Sequence, residues 1–326
     1  MNFIRIGIDL AKNVFQLHGV NDKEETVLKK KLKRHQFLHY LLTKVNTSCI
    51  IAMEACSGSN HWGRKLESAG FTVRIIPAQY VKPYVKRNKN DANDAEAICE
   101  AASRPNMHFV PVKTVEQQDM QAIHRARSDL VKQRTMKANQ IRGLVTEYGI
   151  VAPKGLAQLK KYIPDRLEAA SNELSALFRE LLSDLFDHLK ILDEQVVSYD
   201  KQIKRLATQS KEASRLQTIP GVDPLTATAL VAAVGGGKQF KQGRSMAAWL
   251  GLTPRQHSSG GKEALLGITK AGDKYLRTLF IHGARSVVNS CKKKENSTSP
   301  WVNNLKDSNT EEVHIPALVL KATLLE

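Results

Sequence analysis

Residues 49–54, Cys-Ile-Ile-Ala-Met-Glu, form an apolar run that stops abruptly on a carboxylate. A run this short and this apolar reads as a buried strand, not a helix. Residues Phe3 to Asp9 repeat the pattern: a β-rich alternation that also ends on an acid. Two strands that both close on carboxylates constrain the fold, because ligand sites of α/β sheets gather at strand ends. Around them, Phe15–Val20 and Glu25–Leu32 read as two further strands of a meander. Gln36–Val45 reads as an amphipathic helix, Gly58–Ala69 as a second helix, Phe71–Ile76 as a strand and Ala92–Ala102 as a helix with Asp91 near its N-cap. The order β-β-β-α-β-α-β-α within about 105 residues predicts a mixed sheet with helices on its faces.

Beyond Pro111 the chain reads as mostly helical. A long basic helix is expected over about Val115–Glu147, with a break at Gly149–Gly155. Apolar residues then recur at Leu174, Phe178, Leu181, Leu185, Leu189, Leu192, Val196, Tyr199, Ile203 and Leu206, in steps of three and four. This is a heptad seam with one stutter. It fits either a coiled coil for self-association or a helix packed inside one subunit. From Arg215 the texture changes to Gly-rich turns between short helices. Residues 253–272, rich in Gly, Ser and polar side chains, read as a loop, and Lys274–Ser290 as a helix.

The 326 residues carry 49 Lys+Arg against 32 Asp+Glu, a net charge of +17 that points to a polyanionic partner. The charge is clustered. Arg125, Arg127, Lys132, Arg134, Lys137 and Arg142 stand against Asp129 alone between Met120 and Val145, and residues 236–294 hold twelve basic residues and two acids. Smaller clusters occur at Lys29–Arg34 and Lys82–Lys89. No stretch is long and apolar enough for a membrane span, and the start lacks the features of a signal peptide. Four scattered cysteines, with no C-x-x-C pair, argue against structural zinc or a disulfide framework and fit a reducing cytoplasm.

Asp9, Glu54, Asp91 and Asp94 are the candidate catalytic acids. Asp91 and Asp94 stand three apart at a helix start and share one side of it. Four acids at one sheet end repel one another unless a cation neutralises them, and Mg²⁺ suits all-oxygen ligation. A pair of such ions can clamp a phosphate during in-line displacement. The segment Gly251–Arg285 carries His257, Ser258, Ser259, Gly260, Gly261 and Lys262, flanked by Arg255, Lys270, Lys274 and Arg277. Small residues there permit close approach of a phosphate backbone, cations hold the phosphate, and a serine hydroxyl is a possible nucleophile. Composition alone favours a passive phosphate-binding loop over a nucleophilic one. It is not a P-loop, which would need Gly at Gln256 and Ser or Thr at Glu263.

The pieces IGIDLAK, IAMEACSG, KNDANDAEA, IPGVDPLTA, GLTPRQHSSGGK and ITKAGDKYLRTLFIHGAR occur in this order. The chain thereby resembles the DEDD-type transposases of bacterial insertion sequences, related to the Piv DNA invertases, over about Ile6–Ala284. The resemblance implies a RuvC-like, RNase-H-like domain over residues 1–110, whose tetrad maps onto Asp9, Glu54, Asp91 and Asp94. It implies a long basic helix and coiled-coil region over 111–214. A mostly α C-terminal transposase domain, with a helix-hairpin-helix-like segment, would follow over 215–326. The nucleophile maps onto Ser259. The resemblance further implies Mg²⁺, a homo-oligomer (dimer or tetramer), donor and target DNA, and a structured noncoding guide RNA. The expected activity is RNA-guided cutting and rejoining of DNA through a phosphoserine link. A resolvase-like nuclease using only the tetrad and water, or a non-catalytic nucleic-acid-binding protein, are the competing readings. Two positions depart from the family pattern. Gly221-Val222-Asp223 puts an acid where the hairpin turn usually has a second Gly, and the tail after Asn296 lacks the small-residue-rich final helix.

Overall fold

A computed structural model describes residues 2–86, 90–237, 239–259 and 262–293. The tail beyond Asn296, and Arg87 and Lys89 of the second small basic cluster, lie outside the described residues. The chain divides into two compact units, Met1–Val115 and Glu116–Glu326.

The first unit is built on a five-stranded mixed sheet. Its strands are β1 (Arg5–Leu10), β2 (Val14–Val20), β3 (Thr26–Lys33), β4 (Ile50–Glu54) and β5 (Thr72–Ile76), in the order β3-β2-β1-β4-β5. β1, β2 and β3 form the antiparallel meander, while β4 runs parallel to β1 and β5 parallel to β4. Helices α1 (Arg34–Lys44) and α2 (Ser59–Ser68) cover one face. There Ile6, Ile8, Phe15, Phe37, Met53 and Trp62 share a core, with Phe15, Phe37 and Trp62 in mutual edge-to-face contact. The short α3 (Ala78–Val81) and α4 (Asp91–Ala101) pack with Ala52, Ile76 and Ile98 in a second cluster. Alternation along the strands separates the two sets: even-numbered Ile6 and Ile8 join the first core, whereas Gly7 meets α4. A Cβ at Gly7 would stand 2.3 Å from the Ala95 carbonyl oxygen and 2.4 Å from the Cys99 nitrogen. Only glycine lets α4 approach so closely. A mixed α/β unit of this kind accords with an RNase-H-like domain.

The second unit is mostly helical. Its helices are α5 (Val115–Thr146), α6 (Leu156–Glu168), α7 (Ala176–Gln209), α8 (Lys211–Leu216), α9 (Pro224–Val234), α10 (Gly243–Trp249) and α11 (Lys274–Lys293). α5 and α7 run antiparallel. Arg127 bonds Asp200 at 2.5 Å and Arg134 bonds Asp193 at 2.7 Å, so a step of seven residues forward on α5 is seven backward on α7. Ile141 and Val145 of α5 and Leu159 and Ile163 of α6 pack with Phe178, Leu182, Phe186 and Leu189 of α7. The heptad residues Phe178, Leu189, Leu192, Val196 and Ile203 are thus buried inside the subunit. Between them the fully buried positions are Leu182 and Phe186, with Leu185 partly buried beside them and Leu181 exposed. The reason is that an α-helix with 3.6 residues per turn drifts against a 3.5 repeat. Leu177, Leu181 and Ile191 are left exposed on α7.

The stretch expected as a loop over 253–272 is in fact a two-stranded antiparallel hairpin, β6 (Pro254–Ser259) and β7 (Lys262–Ile268). Its polar and glycine content hides two signals: the intervening Gly260-Gly261 pair, a common hairpin connection, and the apolar residues of Ala264–Ile268. No helix among the described residues is long and apolar enough to cross a membrane.

Candidate functional site

The sheet of the first unit sets two carboxylates side by side. The parallel register pairs Ile8 with Met53, so the next residues along, Asp9 and Glu54, lie at the same end of adjacent strands, Asp9 one residue before the end of β1. By alternation Asp9 shares the face of Gly7, and Glu54 that of Ala52, the face that α4 covers. α4 brings Asp94 in its first turn. The cap of this helix is Asn90, whose side-chain oxygen accepts the Ala92 N–H at 3.2 Å. Asp91 is therefore not the cap. It stands exposed one residue later, where a carboxylate is compatible with the positive end of the helix dipole.

Electrostatics confirms that these acids sense one another. Burial first, and then the negative charge of Asp94, pushes the Glu54 carboxyl above its ordinary value, against the pull of Lys82. Cys56, just past the end of β4, is pushed up to about 11 by burial, Glu54 and Asp9. Asp9, Glu54 and Asp94 thus belong to one negative locus at the sheet end, and Asp91 sits a turn away on the same helix. Among the described residues no three acids, histidines or cysteines stand close enough to enclose a metal ion. The donor set is nonetheless all oxygen and carries an excess of negative charge, which is the chemistry a hard divalent cation requires.

Ser259 lies in the second unit, at the end of β6, with its backbone in register with Lys262 across the hairpin. The side chains of Ser258, Ser259 and Lys262 lie outside what the structure describes. The base of the hairpin is tightly fixed. The Thr269 N–H donates to the Thr253 carbonyl at 2.9 Å, and Lys270, at φ 56°, donates its N–H to the Gly251 carbonyl at 3.0 Å. A Cβ at Gly272 would stand 2.0 Å from the Trp249 carbonyl oxygen, so the backbones touch there. Arg277 is buried and donates Nη1 to the carbonyls of Leu250 and Gly272, at 3.1 and 3.0 Å. Away from the base, Arg255, Gln256, His257, Ala264, Leu265 and Leu266 are all exposed.

The basic residues separate into two groups. Arg127 and Arg134 are engaged with Asp200 and Asp193, and Arg142 donates Nε to the Pro153 carbonyl at 3.1 Å and Nη1 to Asn139 at 2.9 Å. Together with Arg277, these guanidiniums hold the unit together. Arg125, Lys132, Arg255, Lys270 and Lys274 are exposed, and Lys137 reaches Gln140 at 2.9 Å.

Sequence reasoning missed a deeply buried polar link of this unit. His124 of α5 lies between Tyr275 of α11 and Thr228 of α9, at 3.0 Å and 2.9 Å. The Thr228 hydroxyl donates to the Pro224 carbonyl at 2.7 Å, so it accepts from His124 Nε2–H. His124 Nδ1 then accepts from the Tyr275 hydroxyl. Burial, with Arg127 nearby, holds the imidazole down to about 4, and burial pushes the Tyr275 phenol up to about 12. A lone histidine in a basic helix gives no sequence signal of such a role. The Gly221 turn packs as well: a Cβ at Gly283 of α11 would stand 2.1 Å from the Gly221 carbonyl oxygen. Asp223, the departure from the hairpin-turn pattern, caps α9 by accepting the Thr226 N–H at 2.8 Å.

Residues 6–150 match a transposase family model named for the DEDD transposases of IS110, and residues 213–298 match the model "Transposase IS116/IS110/IS902 family". The chain is 45% identical to a probable family 20 transposase of Pseudomonas aeruginosa, over 98% of this chain and 95% of that protein. It is 43% identical to the transposase for insertion sequence element IS1111A of Coxiella burnetii, over 91% and 81%. It is 40% identical to the transposase for insertion sequence element IS1328 of Yersinia enterocolitica, over 93% and 89%.

Proposed function

The chain belongs to the IS116/IS110/IS902 family of transposases, and from that premise we propose how its own residues cut and rejoin the DNA of an insertion sequence. The observation that carries the reading is the register of Asp9 beside Glu54, with Asp94 raising the Glu54 carboxyl. Residues 1–110 act as the catalytic domain of the DEDD acids, 111–214 as the helical spacer and 215–326 as the domain that presents the serine.

Asp9, Glu54, Asp94 and Asp91 would hold divalent metal, Mg²⁺ by the hardness of the donors. When bound, the metal neutralises the acids and the phosphate that is attacked. Ser259 is the nucleophile. Its Oγ forms a bond to phosphorus, a DNA oxygen leaves as a free hydroxyl, and the serine proton passes to a carboxylate or water of the site. A hydroxyl of the partner strand then attacks the phosphoserine, which restores the serine and joins the new ends. Energy is conserved in the covalent link, so no nucleotide triphosphate is needed. The exposed Arg125, Lys132, Arg255, Lys270 and Lys274, with Lys262, bind phosphates of donor and target DNA and of a structured guide RNA. The exposed Leu177, Leu181 and Ile191 of α7 support assembly into a homo-oligomer that joins two duplexes.

The test is a covalent protein–DNA adduct. The chain, expressed with its element's flanking DNA and supplied with Mg²⁺, is denatured and digested, and a DNA-linked peptide is sought by mass spectrometry. An adduct on the peptide containing Ser259, lost in Ser259→Ala, is the expected result. Cut DNA without an adduct would replace the serine mechanism with hydrolysis by the acids alone.

A further inference from the structure

A cavity of about 720 Å³ opens in the first unit between the start of β2, the first turn of α1 and α2. Lys33, Arg34, His35, His61 and Lys65 line it, and no acidic side chain among the described residues does. Trp62 forms part of the wall. It is only 7% exposed, and its indole N–H is buried with no hydrogen-bond partner among the described residues.

The cations are arranged, not merely gathered. The Arg34 guanidinium lies over the rings of Trp62 and Phe15, 5.5 and 5.8 Å from their centroids, and donates Nη1 to the Lys12 carbonyl at 3.3 Å. This holds the planar fork in place before any ligand arrives, which is the geometry that suits phosphate. His61 registers the excess of positive charge: burial, then Lys65, Arg34 and Arg64, push its imidazole below the ordinary value. A bound anion would relieve that repulsion. A solvated basic face would explain the charge alone, but not a cavity lined by five basic side chains with an arginine seated over two of the core rings.

The location adds a direction. β1 ends at Leu10, one residue beyond Asp9, and the turn through Asn13 leads into β2 at the cavity's rim. The cavity therefore lies at the same end of the sheet as Asp9 and Glu54, on the face covered by α1 and α2. We propose that it is a phosphate-binding site for a nucleic-acid strand, seating a backbone phosphate on Lys33, Arg34 and Lys65 while the strand passes the carboxylate end of the sheet. The proposal rests on the reading that this chain handles nucleic acid. The phosphate is common to DNA and RNA, so the test must separate the two.

The experiment uses the full chain and the Lys33→Gln/Lys65→Gln double variant, which changes two exposed side chains. Fluorescent single-stranded DNA and RNA oligonucleotides of one sequence are titrated by anisotropy over a range of NaCl concentrations. Each phosphate contact contributes about 0.7 to the slope of log K against log salt for single strands. The variant should lose about 1.4 of that slope on the strand that uses the cavity, DNA or RNA. In the ¹⁵N spectrum, the Trp62 indole resonance, assigned through Trp62→Phe, should shift with that oligonucleotide in the parent chain and stay in place in the variant. Equal slopes for parent and variant, with the parent binding normally, would overturn the cavity alone. The same indole shift with inorganic phosphate, at matched occupancy and without the slope change, would make it a small-anion site and overturn the strand. A parent chain that binds neither oligonucleotide would overturn the nucleic-acid reading and the cavity together.

Discussion

Arg134 and Asp193 meet at 2.7 Å across the antiparallel pair α5 and α7, and Lys160 of α6 reaches the other oxygen of the same carboxylate at 2.6 Å. One carboxylate therefore ties three helices. Burial alone would raise the Asp193 carboxyl, but the hydrogen bonds from Lys160 and Arg134 outweigh it and hold it below its ordinary value. This contribution is present above the unfolded carboxylate value and is lost as pH falls through the folded one. Asp193→Asn should cost roughly 1–3 kcal/mol, read as a lower denaturant midpoint at neutral pH. Arg134→Gln should destabilise the fold with little change in the salt dependence of DNA binding, whereas Lys132→Gln, two residues away and exposed, should do the reverse. A flattened salt slope for Arg134→Gln with unchanged stability would return that arginine to the nucleic-acid face.

Acid should loosen the second unit through His124. Its imidazole sits at about 4 in the fold, against 6.5 ordinarily, so the unfolded chain binds more protons between those values. Stability is thus complete above about pH 6.5 and declines as the pH drops toward 4, by about 3 kcal/mol. His124→Gln, which cannot titrate, should show a flatter stability profile over that window and a lower plateau at pH 7. An unchanged profile would mean that His124 is solvated. Tyr275→Phe, which removes one donor, should cost about 1 kcal/mol at pH 7.

Gly7→Ala tests how α4 is seated. The new methyl would meet the backbone of Ala95 and Cys99, which cannot swing aside as a side chain can. About 3 kcal/mol of stability should be lost, and α4 should be displaced along with Asp94. The contrasting substitution is Gly143→Ala in α5, where nothing lies within 4 Å of the added carbon. There thermal melting should show a gain of about 0.5–1 kcal/mol, since alanine is the better helix former. A tolerated Gly7→Ala would mean that α4 rides more loosely on β1 than the contact distances indicate.

Asp94→Asn should remove the charge that raises Glu54 and so bring that carboxyl down toward its ordinary value. Relief of repulsion predicts a chain at least as stable as the parent in the absence of divalent metal. Mg²⁺ should raise the melting temperature of the parent, because a ligand that binds the folded state stabilises it, and should do so much less in the variant. Equal Mg²⁺ responses in both would remove Asp94 from the metal site.

The carboxylate end of the sheet was legible because an acid at the end of an apolar strand is physically conspicuous: Glu54 is the last residue of β4, and Asp9 stands one residue before the end of β1. The chain did not reveal that Asn90, not Asp91, caps α4, since either side chain can accept the first N–H bonds. α7 was legible as a helix, but its seam was displaced by one residue at Leu182 and Phe186, because a pattern of threes and fours does not fix where the drift is absorbed. The hairpin Pro254–Ile268 was obscured by its own composition: Gly and Ser counts dominate a stretch whose backbone pairing depends on register. Net positive charge was legible and its use was not. Arg127 and Arg134 look like Lys132 in sequence, and only the positions of Asp200 and Asp193, 73 and 59 residues further along the chain, distinguish them.

Among the described residues the hairpin of β6 and β7 is anchored at its base. Each strand of six or seven residues is about 20 Å long. The fixed points, Gly251, Gly272 and Arg277, all lie at the base, and the side chains along the middle face solvent. Such a ribbon is a lever: a tilt of a few degrees at its root is magnified into ångströms at its tip. The backbone position of Ser259, at the far end of β6, is accordingly sensitive to small rotations at Gly251 and Gly272.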